Sequence, residues 1–205
     1  MPQPVASAPA PRSARAIARA RRPAGGRRTN SPRGGAAKQA RRARGAAPSI
    51  DIIVGSPMWQ AQRAARALLR RAIRAAAAMA AVRGGELAVV LVDDAAMRAL
   101  NRRWRGKDKP TNVLSFPSGA SCRTPVKPLG DIVIAFETAA REALAGEVPL
   151  PHHLAHLAVH GFLHLVGYDH ETDPEAQAME ALETAVLARL GVPDPYAKRD
   201  VEPDC

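Results

Sequence analysis

The apolar positions of this chain fall into two rhythms. Four short stretches rich in Val, Ile and Leu read as strands: Ile50–Val54, Glu86–Val92, Asn112–Phe116 and Asp131–Phe136. Pro117 stops the third, and residues 117–128, rich in Ser, Pro and Gly, read as a loop. Elsewhere apolar residues recur three and four apart, which predicts helices. The first is introduced by Pro57 and runs to about Val82, where Gly84 and Gly85 end it. Asp93 is placed to cap a second through Trp104, with Met97 and Leu100 facing inward. A third runs from about Glu137 to near Gly146, and a fourth from about Pro151 to Val166. The last spans about Asp173–Leu190, closed by Gly191 and Pro193. Helices outnumber strands, and no internal repeat appears.

Charge divides the chain in two. Residues 1–50 hold twelve Arg or Lys and no Asp or Glu, whereas residues 51–205 hold eighteen basic and nineteen acidic residues. The high pI therefore belongs to the N-terminal stretch and says nothing of the partners of the remainder. Residues 1–49 are built from Arg, Ala, Pro, Gly and Ser, with Ile17 the only large aliphatic residue besides Met1 and Val5. Such a segment buries too little apolar surface to offset its ordering entropy, so it reads as a disordered extension. It is a basic arm for RNA, an organellar transit peptide, or a passive extension. A domain at 50–196 and a short flexible tail at 197–205 complete the expected organisation.

Within the domain, Leu69, Ile73, Ala76 and Ala80 share one side of the first helix, and Arg63, Arg66, Arg70 and Arg74 share another. That stripe is a solvated face or a track for RNA phosphates. Cys122 and Cys205 make no disulfide framework and fit a reducing compartment. No run is long and uncharged enough to span a bilayer.

The chemistry concentrates in His160-Gly-Phe-Leu-His164-Leu-Val-Gly167-Tyr168-Asp169-His170. His160 and His164 are four apart and point the same way from a helix. Gly167 is where that helix ends by turning left-handed, which lets the chain carry His170 back to the same point. Three neutral nitrogen ligands with a fourth position open are the arrangement of a catalytic zinc, whose bound water has a pKa of about 7. The spacing also follows the zinc-protease pattern H-E-x-x-H-x-x-G-x-x-H, except that Gly161 stands where the general-base Glu would be. His156, four residues earlier, would close the site as a fourth ligand, so it is placed behind the ligands or at the surface. His152 and His153 read as surface residues. Asp169 orients an imidazole, takes the general-base role, or ties the following loop. Asp131, at a strand start, is equally open.

The His run and Arg105-Gly-Lys-Asp108-Lys-Pro110-Thr-Asn-Val-Leu-Ser-Phe116-Pro together resemble the bacterial YbeY family of zinc-dependent endoribonucleases. Leu100-Asn101, Leu129-Gly130-Asp131-Ile132-Val-Ile, Met179-Glu180-Ala-Leu182-Glu183 and Leu190-Gly191 through Asp194-Pro195-Tyr196 extend the likeness over most of 50–196. Together with the elements above, it implies an α+β single domain. A small, mostly four-stranded mixed sheet is packed with about five helices, and the metal site lies on a helix and the turn after it. It implies one zinc (Zn2+) per chain on His160, His164 and His170, and a catalytic set of those three with Arg105.

The resemblance further implies a cytoplasmic, single-strand-specific endoribonuclease acting in 16S-type ribosomal RNA 3′-end maturation and ribosome quality control. Its partners would be ribosomal RNA, the small ribosomal subunit and that subunit's assembly factors, with no membrane. The guanidinium of Arg105 matches phosphate oxygens in bidentate fashion. Lys107 and Lys109 would contact the RNA backbone, and Asp108 would orient Arg105 through a salt bridge. The attacker is either zinc-bound water or the substrate's 2′-hydroxyl. Imidazole also suits copper, nickel and iron. A zinc metalloprotease-like hydrolase and a non-catalytic ribosome-assembly factor are the competing readings.

Overall fold

The computed structural model describes residues 47–119 and 127–197. The expected N-terminal extension up to residue 46, the C-terminal tail after 197, and both cysteines lie outside the described residues. Four strands form one mixed sheet: β1 (Ser49–Val54), β2 (Glu86–Val92), β3 (Val113–Pro117) and β4 (Pro128–Ala135). Their spatial order is β1-β2-β4-β3, parallel at the first two junctions and antiparallel at the last. Among the described residues five α-helices accompany them: α1 (Ala65–Met79), α2 (Asp94–Arg105), α3 (Phe136–Ala145), α4 (Leu150–Leu165) and α5 (Asp173–Arg189). The α+β expectation is met.

Strand alternation sorts the core into two layers. Leu87, Val89 and Leu91 of β2 and Ile132 and Ile134 of β4 join the larger cluster, packed with α1, α4 and α5. Val90, Val92, Val133 and Ala135 point the other way, against Met97 and Leu100 of α2. The central helix α4 is apolar nearly all round, and nine of its residues are buried, as befits a helix with neighbours on several sides. This burial gives the histidines on α4 a rigid mount.

Several boundaries differ from the pattern-based expectation, among them the end of α1 at Met79 and the inclusion of Pro117 in β3, and two of the differences have a reason in the packing. The helix expected from Pro57 begins instead as a 3-10 turn over Pro57–Gln60, and α1 starts only at Ala65. Trp59 is the reason. Its indole N–H donates to the Val92 carbonyl at 2.9 Å, and its ring meets Phe136 edge-on, which pins the turn to β2 and α3. The fourth strand begins at Pro128 rather than Asp131, because it is paired on both sides from the Gly130 level onward and buries Leu129. Asp131 lies buried within it. The expected cap at Asp93 is present, its side chain accepting from Ala96 N.

Candidate metal centre

On α4, His156, His160 and His164 are spaced by four, so they form one half-exposed stripe on an otherwise buried helix. The helix ends in a Schellman turn. Tyr168 N donates to Leu163 O at 3.1 Å and Gly167 N to His164 O at 3.3 Å, with Gly167 at φ +99°. The chain then reverses and brings His170 over the stripe. The His170 ring lies 5.0 Å from that of His164 and 5.8 Å from that of His160. Ligand-type nitrogens of His160, His164 and His170 all fall within 4.8 Å of one another.

Hydrogen bonding fixes which nitrogens face inward. His160 Nδ1 lies 2.8 Å from Glu183 Oε1, and His164 Nδ1 lies 3.1 Å from the Tyr168 carbonyl. A carboxylate and a carbonyl can only accept, so both Nδ1 atoms carry the proton and both Nε2 atoms present a lone pair. Those two Nε2 atoms stand 3.2 Å apart. Two lone pairs so placed repel, and a shared cation removes the conflict. Tetrahedral zinc with Zn–N near 2.05 Å would set neighbouring nitrogens about 3.3 Å apart. The donor set fits zinc in type, and the His160–His164 pair fits it in spacing.

The electrostatics agree. Burial first, and the neighbouring His160 and His170 next, depress the His164 pKa from 6.5 to about 4, so this imidazole is neutral at pH 7. Burial alone would raise the Glu183 pKa. Hydrogen bonds from His156, His160 and Tyr196 outweigh it and hold the carboxyl at about 2. Glu183 is thus an ionised carboxylate at 0 % exposure, sustained by three donors.

Glu183 and Tyr196 had no role assigned from sequence. The available signal was a carboxylate on the apolar face of α5, in phase with Met179, Val186 and Leu187. His156, expected behind the ligands or at the surface, is half-buried, with its Nε2 3.0 Å from Glu183 Oε2. Asp169 accepts from His170 N at 2.9 Å and stays 3.9 Å from His164 Nδ1, so its direct bond ties the loop. His152 and His153 are half-buried rather than surface residues, and His153 pairs with Glu142 at 3.1 Å.

Arg105 is the exposed last residue of α2, before the left-handed Gly106. Among the described residues its side chain makes no hydrogen bond or ion pair. Asp108 does not orient it. That carboxylate makes a bidentate pair with Arg98, seven residues before Arg105 on α2, at 2.9 and 2.8 Å. Lys107 and Lys109 are exposed on the same loop, whose backbone is tied down by Asn101. No helix among the described residues is long and apolar enough to cross a membrane.

At position 161 a Cβ would lie 2.9 Å from Ile132 Cγ2 and 3.2 Å from Ser115 Oγ. Any side chain there would have to displace Ile132, so the general base of a zinc protease is crowded out of its usual place in the motif.

The centre has the donor set of a mononuclear metal hydrolase, and the comparisons name the class further. The family described as Endoribonuclease YbeY matches residues 57–191. A relative described as Endoribonuclease YbeY from Rhodopseudomonas palustris (strain BisA53) is 57% identical over 159 residues, which is 75% of this chain and 92% of the relative. One from Bradyrhizobium sp. is 54% identical, covering 75% and 95%, and one from Nitrobacter hamburgensis is 51% identical, covering 76% and 85%. The solution structure of TM1509 from Thermotoga maritima aligns with a TM-score of 0.44 at 22% identity, covering 76% of this chain and 99% of that one. The chain belongs to the endoribonuclease YbeY family, and it is an endoribonuclease.

Proposed function

We propose that the chain cuts single-stranded ribosomal RNA precursors in the cytoplasm, in 3′-end maturation and quality control of the small subunit. One zinc would be held by His160, His164 and His170, and Arg105 would sit at the scissile phosphodiester. The observation that supports this most is the pair of Nε2 lone pairs 3.2 Å apart, each fixed by an acceptor behind its ring. Bound there, zinc would supply Lewis acidity and lower the pKa of water at the open position to about 7. The protein's own groups do the rest. Glu183 and the Tyr168 carbonyl keep two imidazoles in the donating tautomer, and burial keeps His164 uncharged. The exposed guanidinium of Arg105 is available to neutralise phosphoryl oxygens as charge gathers on them. Lys107 and Lys109, on the same loop, offer the flanking backbone contacts.

Incubating the full chain with a ribosomal RNA fragment and with casein, each with and without a chelator, tests the reading. RNA cleavage lost on chelation and restored by zinc is expected, with casein intact. Cleavage insensitive to chelation would overturn it, and RNA binding without cleavage would favour an assembly factor. Elemental analysis should find one zinc per chain. Less than about half an equivalent of any transition metal, with His160→Ala no different, would sink the ligand set.

A further inference from the structure

Directly after α5, residues 190–197 fold back on the helix. Val192 is buried and its N–H donates to Leu187 O at 3.0 Å. Asp194 Oδ1 then accepts from Thr184 Oγ1 at 3.1 Å and from Tyr196 N at 2.9 Å, which hooks the segment back along the helix. The hook delivers the Tyr196 hydroxyl to Glu183 Oε2, the oxygen that also faces His156 Nε2. The Tyr196 ring meets the His156 imidazole edge-on, with centroids 5.7 Å apart. The other oxygen of the same carboxylate holds His160 Nδ1.

We propose that Tyr196 is a positioning residue of the metal centre, acting through Glu183 to hold His160 with its Nε2 presented to the ion. This rests on the metal reading above. A buried carboxylate with a single partner is under strain to rotate or to find another donor. With Oε2 engaged by Tyr196 and His156, Oε1 has one place left to be, against His160. The tautomer of His160, and with it the direction of its lone pair, is set from the end of the hook. Such supports behind a ligand are commonly worth about 10–100-fold in metal affinity.

His156, His160 and Glu183 could alternatively hold a second cation, since their ligand-type atoms also lie within 4.8 Å of one another. The contacts argue for hydrogen bonds. They are 2.8 and 3.0 Å long, and a hydroxyl already aims at the oxygen a second ion would need.

The test is zinc affinity by competition with a chromophoric chelator, together with the cobalt(II) absorption spectrum. It uses the full chain, Tyr196→Phe and Glu183→Gln. Tyr196→Phe keeps the ring and removes only the hydroxyl, so it guards against a variant that fails to fold. The expected result is one equivalent of zinc in all three when saturated. Affinity should fall about 10–100-fold in Glu183→Gln and by up to about tenfold in Tyr196→Phe, each with a shifted cobalt spectrum. Tyr196→Phe binding zinc within about twofold of the parent, with an unchanged spectrum, would overturn the proposal, whatever happened to its melting temperature, and leave the metal reading standing. A parent that binds neither ion would overturn the metal reading itself. Two equivalents in the parent and one in Glu183→Gln would make Glu183 a ligand of a second ion and overturn its positioning role.

Discussion

The Ser115 hydroxyl donates to the Gly161 carbonyl across 3.1 Å, fastening β3 to α4 one residue beyond His160. That bond is possible because Gly161 has no side chain, and the β-branched Ile132 of β4 fills the space instead. Gly161→Ala is therefore a contest between two effects. Alanine favours the helix by about 1 kcal/mol over glycine. Its methyl must displace a stiff strand residue, and overpacking of that kind costs about 1–3 kcal/mol. The expected outcome is a net loss of stability of up to about 2 kcal/mol, measured by urea denaturation. A stabilised variant would show that α4 has slack over the sheet.

Arg105→Glu should abolish RNA cleavage while leaving zinc content and fold intact. Arg105 is exposed, so the substitution should change stability by no more than about 0.5 kcal/mol. If its guanidinium binds the phosphate as proposed, reversing the charge replaces attraction with repulsion. Retained cleavage at normal zinc occupancy would demote Arg105 to a surface residue.

His153 supplies a pH dependence away from the metal. Burial lowers its pKa below 6.5, against the opposing pull of Glu142. In the unfolded chain it takes up its proton first as pH falls, so the unfolded state binds more protons in that window. Its contribution is present above the unfolded pKa near 6.5 and is lost as pH drops toward the lower folded value. His153→Gln should therefore lose less stability than the parent between pH 7 and about 5. Parallel melting curves for the two proteins over that range would contradict this account.

If residues 1–49 are an RNA arm, deleting them should weaken binding uniformly across RNA sequences. The salt dependence on single strands should flatten by about 0.7 for each phosphate that the arm no longer neutralises. The cleavage rate on saturating RNA should barely change, because every proposed site residue lies beyond Ile50. Unchanged affinity and salt slope would leave the transit-peptide and passive readings.

The parts of the centre legible in the sequence were those written locally. His160, His164, Gly167 and His170 lie within eleven residues, and helix periodicity plus one left-handed glycine suffice to bring them together. Glu183 is equally close to the centre but comes from another helix, so its partner could be found only once α5 was packed on α4. Asp108 misled for the same reason in reverse. Proximity in sequence suggested Arg105, while the helical turn of α2 put Arg98 within reach. The 3-10 turn at Pro57 likewise depended on Trp59 finding a carbonyl in β2.

In the sheet, β2 and β4 are the interior strands, and Ile132, Val133, Ile134 and Ala135 of β4 have no solvent exposure. Their amides should be among the last in the domain to exchange with solvent. His170 sits at the opposite extreme, exposed and beyond the last turn of α4. His170 is the soft rim of a centre whose other two imidazoles stand on the hardest part of the molecule. An ion held there would enter or leave by way of His170, with nothing asked of the strands beneath.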